Sequence, residues 1–256
     1  GKTDQKGAVR YALRNPIGAK PLRESVSSDQ TVGIVFNDIT RATPNEIIIP
    51  VIIEELKAAG VASSNITLFN ATGTHRTNTE EELRKMLGDY LVDSFRIVQN
   101  DARDKRTFVE VGKTAQGKPA LMNKEFVDCG LHILTGFIEP HFFAGFSGGP
   151  KAMMPGMASL ETVISNHSAE HIDDLRATWG ITKGNSLWEE LKSIADLVPS
   201  VYLVNVTLNR KKEITAVFAG DLSQAHQEGC KYVKETAMSP VKEPFDIVIT
   251  SNSGYP

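Results

Sequence analysis

Between His141 and His167 the chain gathers a set of residues able to do chemistry together: His141, then Gly145, Ser147, Gly148, Gly149 and Lys151, then His167. A loop of small residues exposes backbone N–H groups to a phosphate, a lysine supplies an amine nucleophile, and imidazoles supply a base and a metal ligand. The combination points to an enzyme that holds a phosphorylated cofactor and reacts beside it. Lys151 follows a tight Gly-Gly-Pro turn and opens the apolar run Ala152, Met153, Met154, where water is scarce. Desolvation lowers the pKa of an amine and frees its lone pair for covalent capture.

Two other segments add polar groups at strand exits. His75 lies beside Arg76 after one expected strand, and His141 follows Pro140 after another. Two bases facing one substrate from opposite sides are what inversion of a stereocentre requires. In Asp38-Ile39-Thr40-Arg41, the carboxylate suits a ribose hydroxyl and the guanidinium suits a carboxylate or phosphate. His167, late in an expected helix, reads as a single metal ligand. His171 is placed on the same helical face, but no His-Glu-x-x-His pattern accompanies it, so His171, His132 and His226 read as structural.

Gly145-Phe146-Ser147-Gly148-Gly149 also fits the G-x-S-x-G nucleophile elbow, and Asp196 or Asp221 with His226 would complete a Ser, Asp, His order. An elbow needs its serine on a tight strand-to-helix turn, whereas here the strand ends at Ile138 and a polar loop intervenes. A serine hydrolase is therefore the second reading, and a non-catalytic binder of a nucleotide or carboxylate the third. The loop is not a Walker A motif, because its lysine follows proline and precedes Ala152.

The elements that must position these residues alternate. Thr31 to Phe36 reads as a strand, and Pro44 opens a helix running to about Ala59 on a stripe of Ile48, Ile52 and Leu56. Pro50 is expected to kink that helix or delay its regular part. Ile66 to Phe69 is a second strand, completing a βαβ unit with parallel pairing, and Thr79 with Glu82 forms a capping box for the next helix. Strands follow at Phe95 to Gln99 and Leu131 to Phe137, with a hairpin-like pair at Thr107 to Val111 and Pro119 to Met122 between them. Ser159 caps a helix, Ser186 to Ala195 forms another, Val201 to Val206 pairs with Glu213 to Phe218, Asp221 opens a helix, and Phe245 to Thr250 is a last strand.

This order predicts an α/β fold with a Rossmann-like parallel or mixed sheet, whose loops 37 to 43, 71 to 76 and 139 to 151 meet at one site beyond the strand ends. Residues 1–240 read as the cofactor-binding and catalytic domain and residues 241–256 as the beginning of a second α/β domain. The chain opens on Gly1 rather than Met and stops at Gly254-Tyr255-Pro256, so a longer protein is expected.

A formal net charge of -3 gives no broad basic footprint, so neither nucleic acid nor an anionic membrane is an expected partner. No stretch approaches the ~18 apolar residues of a membrane span and no signal peptide is present, which makes the cytoplasm the expected location. Cys129 and Cys230 match no metal-ligand spacing and are expected to be free thiols.

Taken together, Asp38-x-Thr-Arg41, Gly73-Thr-His75-Arg76, Pro140-His141 with the glycine loop through Lys151 to Pro155-Gly156, and Asn166-His167 resemble the nickel-pincer lactate racemase family. The resemblance runs in order from about residue 10 to the end. It implies a two-domain α/β enzyme using nickel held by pyridinium-3,5-bisthiocarboxylic acid mononucleotide through one carbon and two sulfur atoms. By this resemblance Lys151 would join the cofactor covalently through a thioamide, and His167 would complete the metal's coordination. Asp38, Ile39, Thr40, Arg41, Ser147, Gly148 and Gly149 would touch the cofactor, and Arg41 would also reach the substrate carboxylate. His75 and His141 would be the paired acid/base residues. A small 2-hydroxy carboxylate is the implied substrate. One histidine takes its hydroxyl proton while hydride leaves carbon for an electrophilic acceptor, since the α-hydrogen is too weakly acidic for direct removal. Soft sulfur and carbon donors suit nickel, and imidazole is compatible with it. In the family, separate enzymes make the cofactor and insert nickel, and substrate-side glutamine and lysine residues lie beyond the position of Pro256.

Overall fold

The computed structural model describes residues 1–249 of the chain. Its elements run α1 (Gln5–Arg14), β1 (Val32–Asn37), α2 (Asn45–Ala58), β2 (Ile66–Ala71), α3 (Glu80–Leu87), α4 (Asp89–Ser94), β3 (Arg96–Gln99), β4 (Phe108–Lys113), β5 (Pro119–Asn123), α5 (Lys124–Val127) and β6 (Leu131–Phe137). Then come β7 (Pro140–His141), β8 (Gly145–Phe146), α6 (Leu160–Asn166), α7 (Ala169–Ile172), α8 (Ser186–Ala195), β9 (Val201–Leu208), β10 (Ile214–Gly220) and α9 (Leu222–Ala237).

Six strands form the main sheet in the order β10-β9-β6-β1-β2-β3. All neighbours pair in parallel except β10, which runs antiparallel to β9 along the edge. The chain builds outward from β1 through β2 to β3, and then returns to the other side of β1 with β6. The order therefore reverses between β1 and β6, and in such sheets that crevice beyond the carboxyl ends of the strands is where ligands sit. The β4-β5 hairpin stands apart as a two-stranded sheet.

Alternation along each strand sends side chains to two cores. Val32, Ile34 and Phe36 pack with Ile48, Ile52 and Leu56 of α2 and with Val9 and Leu13 of α1. Val35, Leu134 and Leu203 face the other way, onto Phe126, Met153, Met154, Leu191 and Ala225. Covering on both faces is what an all-parallel interior needs. Glu55, 1 % exposed on α2, ties the first layer together by accepting from Arg14 at 2.9 Å and from Arg23 at 3.0 Å.

The expected α/β architecture holds, and individual elements depart from the expected order, among them the short α4, α5, α7 and the β7–β8 pair, which were not foreseen. Helix α2 runs from Asn45 across Pro50 to Ala58, so the proline does not delay its regular part. Helix α1 was not foreseen, although Asp4 accepting from the Gly7 N–H and buried Val9, Ala12 and Leu13 give it a cap and a stripe. The expected strand at Phe245 to Thr250 does not form over residues 245–249, and Thr250 lies outside the described residues. Ile247 and Ile249 are exposed there, and a β-prone run without a neighbouring strand gains no ladder.

Candidate active site

The loops after β1, β2 and β6 close around one cavity at the β1/β6 crevice. Asp38 and Arg41 come from the first loop, Thr72 to His75 from the second, and His141, Ser147, Gly148 and Lys151 from the third. The enclosed space is about 130 Å³, below the roughly 300 Å³ at which ligand pockets begin. A small carboxylate fits inside, and anything nucleotide-sized extends through the open side.

Asp38 is 4 % exposed and both of its oxygens are engaged. Oδ1 accepts from the Thr40 hydroxyl at 2.8 Å, while Oδ2 lies 2.6 Å from His75 Nδ1. The His75 ring is itself half-exposed. Arg41 closes a turn by donating its backbone N–H to the Asp38 carbonyl at 3.1 Å, and among the described residues its guanidinium has no ion-pair partner. The Ile39 N–H donates to Asn78 Oδ1 at 3.2 Å, which anchors this loop to the buried Asn78–Asn70 pair.

The third loop is built by β7, β8 and a single 3-10 turn, Gly149–Ala152. Gly148 and Gly149 both have positive φ, and a Cβ on Gly149 would lie 2.5 Å from the His226 ring. Only glycine fits there. Asn205, buried on β9, accepts from the Gly149 N–H at 2.7 Å. This packing sets Lys151 at the cavity wall, its amine with no hydrogen bond or carboxylate partner among the described residues. Burial, aided by the Arg41 charge, lowers its amine to about 8.

His141 Nδ1 accepts from the N–H groups of Phe143 at 3.2 Å and Ala144 at 3.1 Å, and Phe142 stacks on the ring at 4.6 Å. Burial, with the positive charges of Lys151 and Arg41 and the nearby His167, lowers His141 to about 3, so it is neutral near pH 7. His167 caps α6, and its Nδ1 lies 3.2 Å from the Val163 carbonyl, which leaves Nε2 free. Burial and Lys151 lower its pKa as well.

The cavity thus brings together Asp38, Arg41, His75, His141, Ser147, Gly148 and Lys151 of the expected set. Ile39, Thr40, Gly149 and His167 do not line it. His167 stands close enough to feel Lys151, while Thr40 and Gly149 act through Asp38 and Asn205. The helix breaks after His167, so His171 does not share its face. His171 instead lies 3.2 Å from buried Glu190, and both cysteines are free. Ser147 Oγ donates to the Phe137 carbonyl at 2.9 Å and accepts from the Glu139 N–H at 3.0 Å. Asp196 pairs with Lys192 and Asp221 caps α9, so no acid, base and nucleophile relay forms around Ser147.

Sequence reasoning missed Asn37, Thr135 and Asn205, the first two of which line the cavity. Part of the signal was present: Asn37, Asn70 and Asn100 each directly follow an expected strand, where strand ends meet loops, whereas Asn205 lies within its strand.

The fold and site define an α/β protein with a lysine of lowered pKa, an arginine and two histidines at a switch-point crevice. Residues 1–180 match the family model described as the lactate racemase N-terminal domain. Lactate racemase of Lactiplantibacillus plantarum is 36 % identical over 255 residues, covering 100 % of this chain and 60 % of that protein. Lactate racemase of Thermoanaerobacterium thermosaccharolyticum is 36 % identical over 252 residues, covering 98 % and 59 %. The solved lactate racemase apoprotein from the latter organism superposes with a TM-score of 0.88 at 33 % identity, covering 91 % of this chain and 56 % of that one. A crystal structure of a Thermotoga maritima protein shares the fold, with a TM-score of 0.76 at 21 % identity, covering 92 % and 60 %. The chain belongs to the lactate racemase N-terminal domain family, and it spans about 60 % of the length of the curated relatives it matches.

The residues present fit a nickel-pincer group by their donor chemistry. Among the described residues no cluster of three or more His, Cys, Asp or Glu side chains could hold a metal. One neutral imidazole with its Nδ1 turned to a carbonyl suits a metal whose other donors arrive with the cofactor. An unpartnered amine at the cavity wall suits covalent attachment. Among the described residues no helix is long and apolar enough to cross a membrane.

Proposed function

We propose that this chain carries the cofactor-binding half of a 2-hydroxy acid racemase or epimerase, an isomerase dependent on nickel and pyridinium-3,5-bisthiocarboxylic acid mononucleotide. The observation that carries the reading is Lys151, an amine with no partner among the described residues and a lowered pKa, meeting Arg41, His75 and His141 in one cavity. The bound cofactor supplies a hydride acceptor. Lys151 supplies the attachment point, and His167 supplies Nε2 to nickel. Asp38, Ile39 and Thr40, together with the Ser147 to Gly149 backbone, cradle the cofactor.

Arg41 receives the substrate carboxylate, the preferred partner of a planar guanidinium. His75 and His141 then face the substrate hydroxyl, where its proton is held and returned. Residues 1–240 form this half, residues 241–256 lead into the second domain, and the protein works in the cytoplasm with enzymes that make the cofactor and insert nickel. The substrate is a small 2-hydroxy carboxylate.

The test is intact mass spectrometry with metal analysis on the full chain co-expressed with cofactor-synthesis enzymes. A mass increase mapping to Lys151 with about one nickel per chain, both lost in Lys151→Ala, is expected. An unmodified Lys151 beside a loaded control racemase overturns the reading.

A further inference from the structure

We infer that Glu190 is a positioning residue: one buried carboxylate on α8 holds both sides of the α6–α7 junction and thereby fixes where His167 presents Nε2. The clamp stands on its own contacts, whereas its consequence for nickel rests on the proposed racemase reading.

The segment that carries His167 is weak by itself. α6 has seven residues and α7 has four, and helices this short do not persist without tertiary contacts. The Ser159 side chain caps α6, but no side chain caps α7, and His171 is the one buried residue of that turn. His167 lies where the first helix has ended and the second has not begun, so any change in the angle between them moves its ring.

Glu190 reaches both sides of this junction, and its side chain is 1 % exposed. Oε2 accepts from Nδ2 of Asn166, the last residue of α6, at 2.9 Å, and lies 3.2 Å from His171 Nε2 on α7. Oε1 accepts from the Ala115 N–H at 3.0 Å, in the loop between β4 and β5. Asn166 Nδ2 also donates to the Leu187 carbonyl at 3.0 Å, which ties α6 to α8 a second time. The anchors therefore bracket His167 in sequence and fix it to a separate hairpin in space. α8 is a firm base for them, with Leu187, Leu191 and Ile194 buried in the core. Its cap, Asn185, donates Nδ2–H to the Phe143 carbonyl at 2.8 Å, which joins α8 to the loop that leads to Lys151.

Stability alone does not account for this arrangement. Buried Glu55 has two arginines around it, whereas among the described residues no lysine or arginine pairs with Glu190. Asn166 Oδ1 and His171 Nδ1 are buried without a partner among the described residues. A buried carboxylate lacking a strong cation, beside unpaired polar atoms, costs stability that an apolar cluster would not. What it supplies is a defined place for the imidazole between its anchors.

The first test is amide hydrogen exchange on the full chain without cofactor. Glu190→Gln keeps the side-chain volume but puts an N–H donor where a carboxylate oxygen accepted, facing either the Ala115 N–H or the Asn166 amide. Exchange at the His167, His171 and Ile172 amides is expected to quicken about 10-fold, with α1 and β1 unchanged. Asn166→Ala cuts only the α6 arm, is expected to act in the same direction, and replaces Glu190→Gln if that variant does not fold. Unchanged exchange at the junction in a folded variant overturns the clamp.

The second test separates position from stability in the full chain loaded with cofactor. Leu13→Ala opens a cavity in the core on the other face of the sheet and is expected to lower Tm at least as far as Glu190→Gln does. Nickel retained after dialysis against a chelator should fall about 3- to 10-fold in Glu190→Gln and stay at the wild-type level in Leu13→Ala, with the adduct mass at Lys151 present in both. Wild-type retention in Glu190→Gln, or an equal loss in the two variants, overturns the positioning role. A wild-type chain that takes up neither adduct nor nickel, with the exchange result as expected, counts against the racemase reading and leaves the clamp standing.

Discussion

His226 Nε2 lies 2.9 Å from the Ser147 carbonyl oxygen, so the imidazole grips the backbone of the glycine loop and leaves the serine hydroxyl to other partners. Burial lowers His226 to about 4, which keeps it a neutral donor to that carbonyl. Because Ser147 Oγ bridges Phe137 and Glu139, Ser147→Ala removes two hydrogen bonds and no nucleophile. The expected cost is about 1–2 kcal/mol, or roughly 2–8 °C in Tm. Cofactor loading and turnover should fall less than about 10-fold, since both lost hydrogen bonds hold the loop to Phe137 and Glu139 and each is worth only about 1 kcal/mol. A loss of 10³-fold or more in turnover, with the fold intact, would restore Ser147 as a nucleophile.

His167 offers a second check that is independent of turnover. Its Nδ1 faces the Val163 carbonyl and fixes the tautomer that leaves Nε2 as a donor. In the full chain loaded with cofactor, His167→Ala should still show the adduct mass at Lys151. Nickel retained after dialysis against a chelator should drop about 10-fold or more, as expected when a metal loses its protein ligand. Equal nickel retention by the variant and wild type would remove His167 from the metal.

The sheet and its crossing loops were legible in the sequence because strand and helix periods differ and each loop carried its own polar signature. Asp38, His75, His141 and Lys151 could be read as reactive types at strand exits, and the cavity gathers all four. Their pairings were not legible. That Asp38 holds His75, and not only a ligand, depends on where the loop after β2 meets the loop after β1, and the parallel register that sets Asn37 opposite Ala71 brings the two loops side by side. His171 was placed beside His167 by counting fours along a helix, but the helix ends at His167, where its backbone caps α6, and the count restarts. The elbow pattern around Ser147 misled for a similar reason: five residues specify spacing but not which atom of His226 or Ser147 faces the other.

Glu55 makes the first layer sensitive to acid. Burial pushes its carboxyl up, but hydrogen bonds from Arg14 and Arg23 outweigh this and hold it below the usual glutamate value. A depressed folded pKa contributes stability that is present above the unfolded value near 4.5 and is lost as pH falls through the folded one. Glu55→Gln should therefore cost about 3 kcal/mol at pH 7, because it leaves two guanidinium groups around a neutral amide. The difference from wild type should shrink as both are melted at pH 4 and then pH 3. A difference that stays constant with pH would show that the clamp acts by packing alone.

Lys151 titrates in the reverse sense. Its folded pKa near 8 lies below the usual lysine value of 10.5, so below pH 8 the fold holds a charged amine at a cost. Between pH 8 and 10.5 the unfolded chain keeps a proton that the folded chain has released, and stability rises with pH through that window. Lys151→Met should accordingly melt higher than wild type at pH 7, by about 1–2 kcal/mol after discounting for the water that its half-buried side chain still meets. By pH 10 most of that advantage should vanish. The same lowered pKa leaves about half of the Lys151 amines neutral at pH 8, against well under about 1 % for an ordinary lysine. A small acylating reagent used in substoichiometric amount at pH 8 should therefore label Lys151 ahead of the exposed lysines when sites are mapped by peptide mass. If Lys151 is labelled no faster than its surface counterparts, and Lys151→Met shows no pH-dependent gain, the amine is an ordinary solvated one and its fitness for covalent attachment fails with it.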